Sequence, residues 1–195
     1  MTFLAIRGRA FNVRSACAAL VLALVPLSPA PSHAQVTSEA QTNERSVMAA
    51  YIYRFITYVE WPASAFPSAE APIVIGVVNA DDIAAELEQI VQGRTAQNRR
   101  LQVRRIAPGE AGTGVNVLFI GGEAAPKFLQ TAKTLTERSV LTITGIDRGI
   151  EQGSVINFIQ VDGRVRFEVN VAVAEKSGLR LSSRLLTVAT RVKAG

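Results

Sequence analysis

The side chains best placed to do chemistry sit close together in the last third of the chain. Arg164, Arg166, Glu168 and Asn170 alternate with Val165, Phe167 and Val169, and Asp162-Gly163 separates this run from Ser154–Val161. An Asp-Gly pair between two alternating runs is a strong signal for a two-residue hairpin. That turn sets Val161 opposite Arg164, Phe158 opposite Phe167 and Asn157 opposite Glu168. One face then carries Ile156, Phe158, Val165, Phe167 and Val169 toward a core. The other carries Asn157, Arg164, Arg166, Glu168 and Asn170 beside Ile159 and Val161. In this register Arg166, Glu168 and Asn157 are close enough for a charge-assisted network, a rigid polar patch suited to docking a partner or a small ligand. An ordinary solvated sheet face is the simpler reading, because antiparallel sheets often expose one side. A lone Glu without a paired acid or base is a poor catalytic centre.

Trp61, in Glu60-Trp61-Pro62 where the chain leaves a helix, is the second place to look, since an aromatic at such an exit can anchor a partner. Tyr51 and Phe55 lie on the apolar stripe of that helix and read as core. The candidates for partner or ligand binding are therefore Trp61, Asn157, Arg166, Glu168 and Asn170. Two glycine motifs do not join them. Gly109, Gly112 and Gly114 are phosphate-loop-like but precede a strand, whereas a phosphate site needs glycines between a strand and a helix N-terminus. Gly121-Gly122-Glu123 is similar to a diguanylate cyclase signature that the following Ala124-Ala125 breaks, so a strand-ending turn accounts for it better.

Histidine and cysteine chemistry is excluded by position. The chain has one His, His33, and one Cys, Cys17. Both lie in a segment with the marks of a signal peptide: Arg7, Arg9 and Arg14, then an apolar stretch from Ala16 to Leu27, then Ser32-His33-Ala34 as the cleavage site. Cleavage before Gln35 removes 34 of the 195 residues and leaves 161, a length suited to one domain, residues 35–195. The product has no disulfide, no Cys–His or Ser–His pair, and none of the ligands on which zinc sites mainly rely. Carboxylate, Lys or Tyr catalysis remains chemically open. No cofactor or metal is expected, and the expected role is not enzymatic.

Three of the 21 basic residues and none of the 16 acidic ones leave with the signal, so the net charge falls from +5 to +2. With those charges interspersed there is no electrostatic footprint for nucleic acid. No later segment reaches the ~20 continuous apolar residues that span a bilayer.

The elements that must position these residues follow from periodicity. After a polar leader, Gln35 to Asn43, a helical stripe runs through Met48, Tyr51, Ile52, Phe55, Ile56 and Val59 until Pro62. Two strand–helix–strand units come next. The first has strands at Ile73–Val78 and Leu101–Ile106 around a helix opened by Asp81-Asp82, with Ile83, Leu87, Ile90 and Val91 on one side. The second has strands at Val115–Ile120 and Val140–Thr144 around a helix begun by Pro126, with Phe128, Ala132 and Leu135 inward. After the hairpin, a short helix spans Val171 to Lys176 and a last one runs from Ser182-Ser183 through Leu185, Leu186 and Ala189. This pattern predicts an α/β fold: a mixed sheet of about five to seven strands flanked by helices, with an antiparallel C-terminal hairpin.

At these same residues the chain resembles the YfiR-like (YfiR/HmsC) periplasmic regulator family. The matching pieces are Ala49-Ala50-Tyr51-Ile52-Tyr53-Arg54-Phe55, Tyr58-Val59-Glu60-Trp61-Pro62, Gly153-Ser154-Val155-Ile156-Asn157-Phe158 and Gly163-Arg164-Val165-Arg166-Phe167-Glu168-Val169-Asn170. Ala174, Gly178-Leu179 and Leu181-Ser182-Ser183 to Leu185-Leu186 complete the pattern. The resemblance implies a periplasmic binding regulator that holds off an inner-membrane diguanylate cyclase through its periplasmic sensor domain, lowering cyclic di-GMP and biofilm formation. A homodimer is a further possibility, and a periplasmic small-molecule-binding protein is the alternative. Some relatives carry disulfides, which the processed chain cannot form.

Overall fold

The apolar stripe forms the C-terminal half of helix α1 (His33–Ile56), where Ile52, Phe55 and Ile56 are fully buried. In this computed structural model the described residues are 33–107, 110, 112–122, 125–131 and 139–194. Most of the leader, residues 1–32, and Gly109, Glu123, Ala124, Ala132 and Leu135 lie outside them. Helix α1 begins earlier than its stripe predicts: Gln35 to Asn43, expected as a polar leader, is helical. That stretch holds no Pro or Gly, and once the packed half is formed each further turn adds hydrogen bonds at little cost. The other end stops sooner than expected. Val59 leaves the helix to enter strand β1 (Val59–Glu60), and the side chain of Gln97 donates to Ile56 O at 2.8 Å, a carbonyl that the helix end leaves open, and to Val59 O at 2.6 Å beyond it.

Both strand–helix–strand units form. Strand β2 (Ile73–Val78), helix α2 (Asp81–Val91) and strand β4 (Arg99–Ile106) make the first, with a two-residue strand β3 (Thr95–Ala96) folding back on β4. Strand β5 (Val117–Ile120), helix α3 (Ala125–Thr131) and strand β6 (Leu141–Thr144) make the second. The hairpin is strand β7 (Ile156–Val161) with β8 (Arg164–Asn170). Then come helix α4 (Val171–Lys176), strand β9 (Arg180–Leu181), helix α5 (Ser183–Val188) and strand β10 (Arg191–Lys193).

The main sheet has the order β10-β8-β7-β6-β5-β2-β4-β3. Its eight strands slightly exceed the number predicted, because β3 and β10 are too short to show a period. Pairing is parallel from β4 through β2, β5 and β6 to β7, and antiparallel within the hairpin. Every residue of β5 and β6 is buried, as strands covered on both faces must be. Helices α1 and α2 cover one face together with Ile75, Phe119, Ile143 and Phe167; Ala125 and Leu129 of α3 pack with Val78, Leu118 and Ile120 on the other. A separate two-stranded ribbon pairs β1 with β9.

Candidate functional site

The hairpin has the register its turn chemistry dictates. Val161 faces Arg164, Phe158 faces Phe167 and Asn157 faces Glu168. Asp162 and Gly163 take φ of 50° and 69°, the left-handed pair that a tight hairpin turn of this kind requires. On the helix side Phe158 and Phe167 are clamped by α1: the Phe55 ring lies 4.9 Å from Phe167 and 5.8 Å from Phe158, and Tyr51 lies 5.7 Å from Phe167. The hairpin is therefore a stiff platform. Stiffness of this kind is what a docking surface needs, since ordering it on binding then costs little.

The opposite face differs from the exposed polar patch that alternation alone predicts. Asn157 is fully buried. Its Oδ1 accepts from Thr144 Oγ1 at 2.8 Å and from Ile146 N at 3.1 Å, and its Nδ2 donates to Ile146 O at 3.0 Å. Asn170, also buried, donates from Nδ2 to Ile150 O at 2.8 Å and accepts from Val173 N at 3.1 Å as the N-cap of α4. The two amides thus fasten the turn at 145–153 over this end of the sheet. Thr144 and Ser154 add a buried hydroxyl pair at 3.0 Å.

The network predicted among Arg166, Glu168 and Asn157 does not form. Glu168 is 9% exposed and its partner is Arg191 of β10, whose Nε donates to Oε1 at 2.7 Å. Arg191 also donates from Nη2 to Glu151 Oε1 at 2.7 Å, so one guanidinium joins the edge strand, β8 and the 145–153 turn. That hydrogen bond holds the Glu151 carboxyl below its ordinary pKa, and the bonds to Glu168 and then Glu151 raise that of Arg191. A carboxyl held ionised is the opposite of what a general acid requires. Among the described residues no three His, Cys, Asp or Glu side chains group as metal ligands would.

Arg166 and its neighbour Arg164 are exposed, flank the half-buried Ile159 and Val161, and have no ion-pair partner within 4 Å among the described residues. Of the sequence candidates, Arg166 is the one whose charged end is free for a partner. Trp61 follows the β1–β9 ribbon, apart from the hairpin's sheet. It packs partly buried on the main core, and its indole N–H is enclosed without a hydrogen-bond partner among the described residues. The residues that sequence reasoning missed, Arg191 and Glu151, lie in a three-residue strand and an irregular turn. The alternation Arg191-Val192-Lys193 is the one local hint of the former.

Beside the hairpin, a groove of about 770 Å³ opens between α1 and the start of β8, with Val47, Tyr51 and Val165 among its apolar lining and the strand edge at Arg164 and Arg166 bordering it. A smaller cleft of about 290 Å³ continues it past Met48, Phe158 and Gly145.

A mixed α/β domain that presents a stiff hairpin and open grooves has the build of a binding module. The chain belongs to the YfiR/HmsC-like family, which matches it over residues 45–190. That family is one of periplasmic regulators of cyclic di-GMP signalling and is not known as enzymatic. No curated protein matches the chain. No described helix is long and apolar enough to cross a membrane.

Proposed function

We propose that this protein is a periplasmic repressor that binds the periplasmic sensor domain of an inner-membrane diguanylate cyclase and holds the enzyme in its low-output state. Cyclic di-GMP and biofilm formation fall while it is bound and rise on release. Family membership over residues 45–190 is the observation that carries this reading. A binder shifts such an equilibrium only through its difference in affinity for the two sensor conformations, and about 5.5 kcal/mol of difference moves it from 1:99 to 99:1. The docking surface centres on Arg166, with Glu168 oriented by Arg191 behind it; Asn157 and Asn170 act indirectly by holding the turn beneath. Trp61, just past the separate ribbon, is the alternative anchor.

Residues 1–34 act as the signal peptide in this reading. Cleavage before Gln35 trims two residues from the start of a 24-residue helix and leaves its packed half intact. Protein recovered from the periplasm should have an intact mass beginning at Gln35, and an unprocessed cytoplasmic chain would contradict export. The functional test is a pull-down from membranes with tagged mature protein, paired with cyclic di-GMP levels in cells with and without it. Capture of a cyclase and a fall in cyclic di-GMP are expected; unchanged levels refute repression. The groove beside the hairpin has a volume usual for ligand pockets, which favours the second reading, a periplasmic small-molecule-binding protein. A small molecule co-purifying in equimolar amount would decide for it.

A further inference from the structure

We propose that the open half of β8, with the groove beside it, is an acceptor edge for an extended segment of another protein in which acidic and apolar residues alternate. Strand β10 pairs only with Glu168 to Asn170, so among the described residues no strand lies along the outer side of Arg164 to Phe167. Phe167 O accepts from Thr190 N at 2.9 Å on that side. A residue in an antiparallel strand points its N–H and C=O the same way, and residues two apart share that direction. The main-chain N–H and C=O of Val165 therefore also point outward, and β10 demonstrates that this edge takes a parallel strand.

The side-chain environment specifies what comes in. A residue aligned with Val165 would point toward α1, where Val47 and Tyr51 give the groove its apolar lining. Glu44 lies on the same wall and repels acidic groups from that side. Residues aligned with Arg164 and Arg166 would point to the other face, against two exposed guanidinium groups without ion-pair partners among the described residues. The helix wall is fixed from behind, because Arg45 pairs with Asp82 at 2.6 Å and Ser46 bonds Glu86 at 3.0 Å, both on α2. Backbone pairing thus supplies affinity and the alternation supplies specificity, as in other strand-addition sites.

A second copy of this chain is the wrong occupant. Its own open edges are cationic: β10 carries Arg191 and Lys193, and the part of β4 that the two-residue β3 leaves uncovered carries Arg104 and Arg105. Set against Arg164 and Arg166 they would place like charges opposite each other. The partner's identity, the cyclase sensor domain, rests on the proposed function, but strand addition itself does not depend on that identity.

The test uses mature protein and two synthetic peptides, one alternating glutamate with valine and one alternating lysine with valine. The acidic peptide should bind, slow exchange of the Val165 amide seen by NMR, and lose about tenfold in affinity against the Arg164→Glu/Arg166→Glu variant. Val165→Pro, which removes the outward N–H at an edge position where proline is tolerated, should abolish binding. If it does not fold, the double arginine variant, altered only at exposed positions, carries the test. Equal binding of the two peptides, an unprotected Val165 amide, or a dimer of the free protein that protects this edge each overturn the proposal. Selective peptide binding with cyclase repression untouched by folded Val165→Pro upholds the acceptor edge and removes only its assignment to the cyclase. Lost repression without peptide selectivity upholds the repressor and overturns the acceptor edge.

Discussion

Replacing Asn157 tests whether the buried side of the hairpin is structural. The amide makes three hydrogen bonds, of 2.8, 3.1 and 3.0 Å, to Thr144 and to both main-chain groups of Ile146. At about 1 kcal/mol net for each, Asn157→Ala costs about 3 kcal/mol. Thr144 keeps Ser154 as a partner, and the half-buried Ile146 groups can recruit water, which pulls the cost toward about 2 kcal/mol. For a domain of this size that is a fall in Tm of about 4–12 °C. Asn157→Asp adds a sign. A protonated carboxyl can still donate to Ile146 O as the amide does, while an ionised one there is buried, unpaired and facing a carbonyl. Burial raises the pKa of such a group, so the variant is closest to wild type in acid and loses stability as pH rises through the raised value. The assay is urea unfolding of the mature protein at pH 4 and pH 7.5, with Arg166→Ala as the exposed control, expected within about 0.5 kcal/mol of wild type. Asn157→Ala falling inside that same margin, or Asn157→Asp tracking wild type at both pH values, would refute the account of this face.

Three other perturbations probe the surroundings. Phe167→Ala removes the ring seated 4.9 Å from Phe55 and should cost about 3–5 kcal/mol in denaturant unfolding, with a loss under 1 kcal/mol counting against the aromatic clamp. Gly149→Ala drives a Cβ into Asn157 Oδ1 and Thr144 Oγ1, so overpacking should cost about 1–3 kcal/mol, and a neutral effect would mean the 145–153 turn is not seated there. Glu151 has a folded pKa below its unfolded value because of Arg191, so its stabilising contribution is present above the unfolded pKa and is lost as pH falls through the folded one. Carboxyl NMR titration should find Glu151 below the ordinary glutamate range in wild type and back within it in Arg191→Ala; identical curves would dissolve the link between edge strand and turn.

The register of the hairpin, both strand–helix–strand units and the helical stripe were legible in the chain alone. Each depends on short-range chemistry: Asp162-Gly163 admits one tight turn, and alternation or three-to-four spacing then assigns every side chain a direction. Direction is not exposure. Asn157, Glu168 and Asn170 point away from Phe158 and Phe167 as alternation requires, yet they are buried, because the 145–153 turn and β10 arrive from elsewhere in the chain to cover them. The partner of Glu168 lies 23 residues away in a strand of three, too short to carry a period. The helical extension of α1 over Gln35–Asn43 and the ribbon that precedes Trp61 were hidden for the same reason, since polar or two-residue segments carry no hydrophobic period to read. Local sequence determined which way each side chain faces; the non-local packing of the sheet decided that Arg164 and Arg166 stay exposed to water while their polar neighbours hold the fold together.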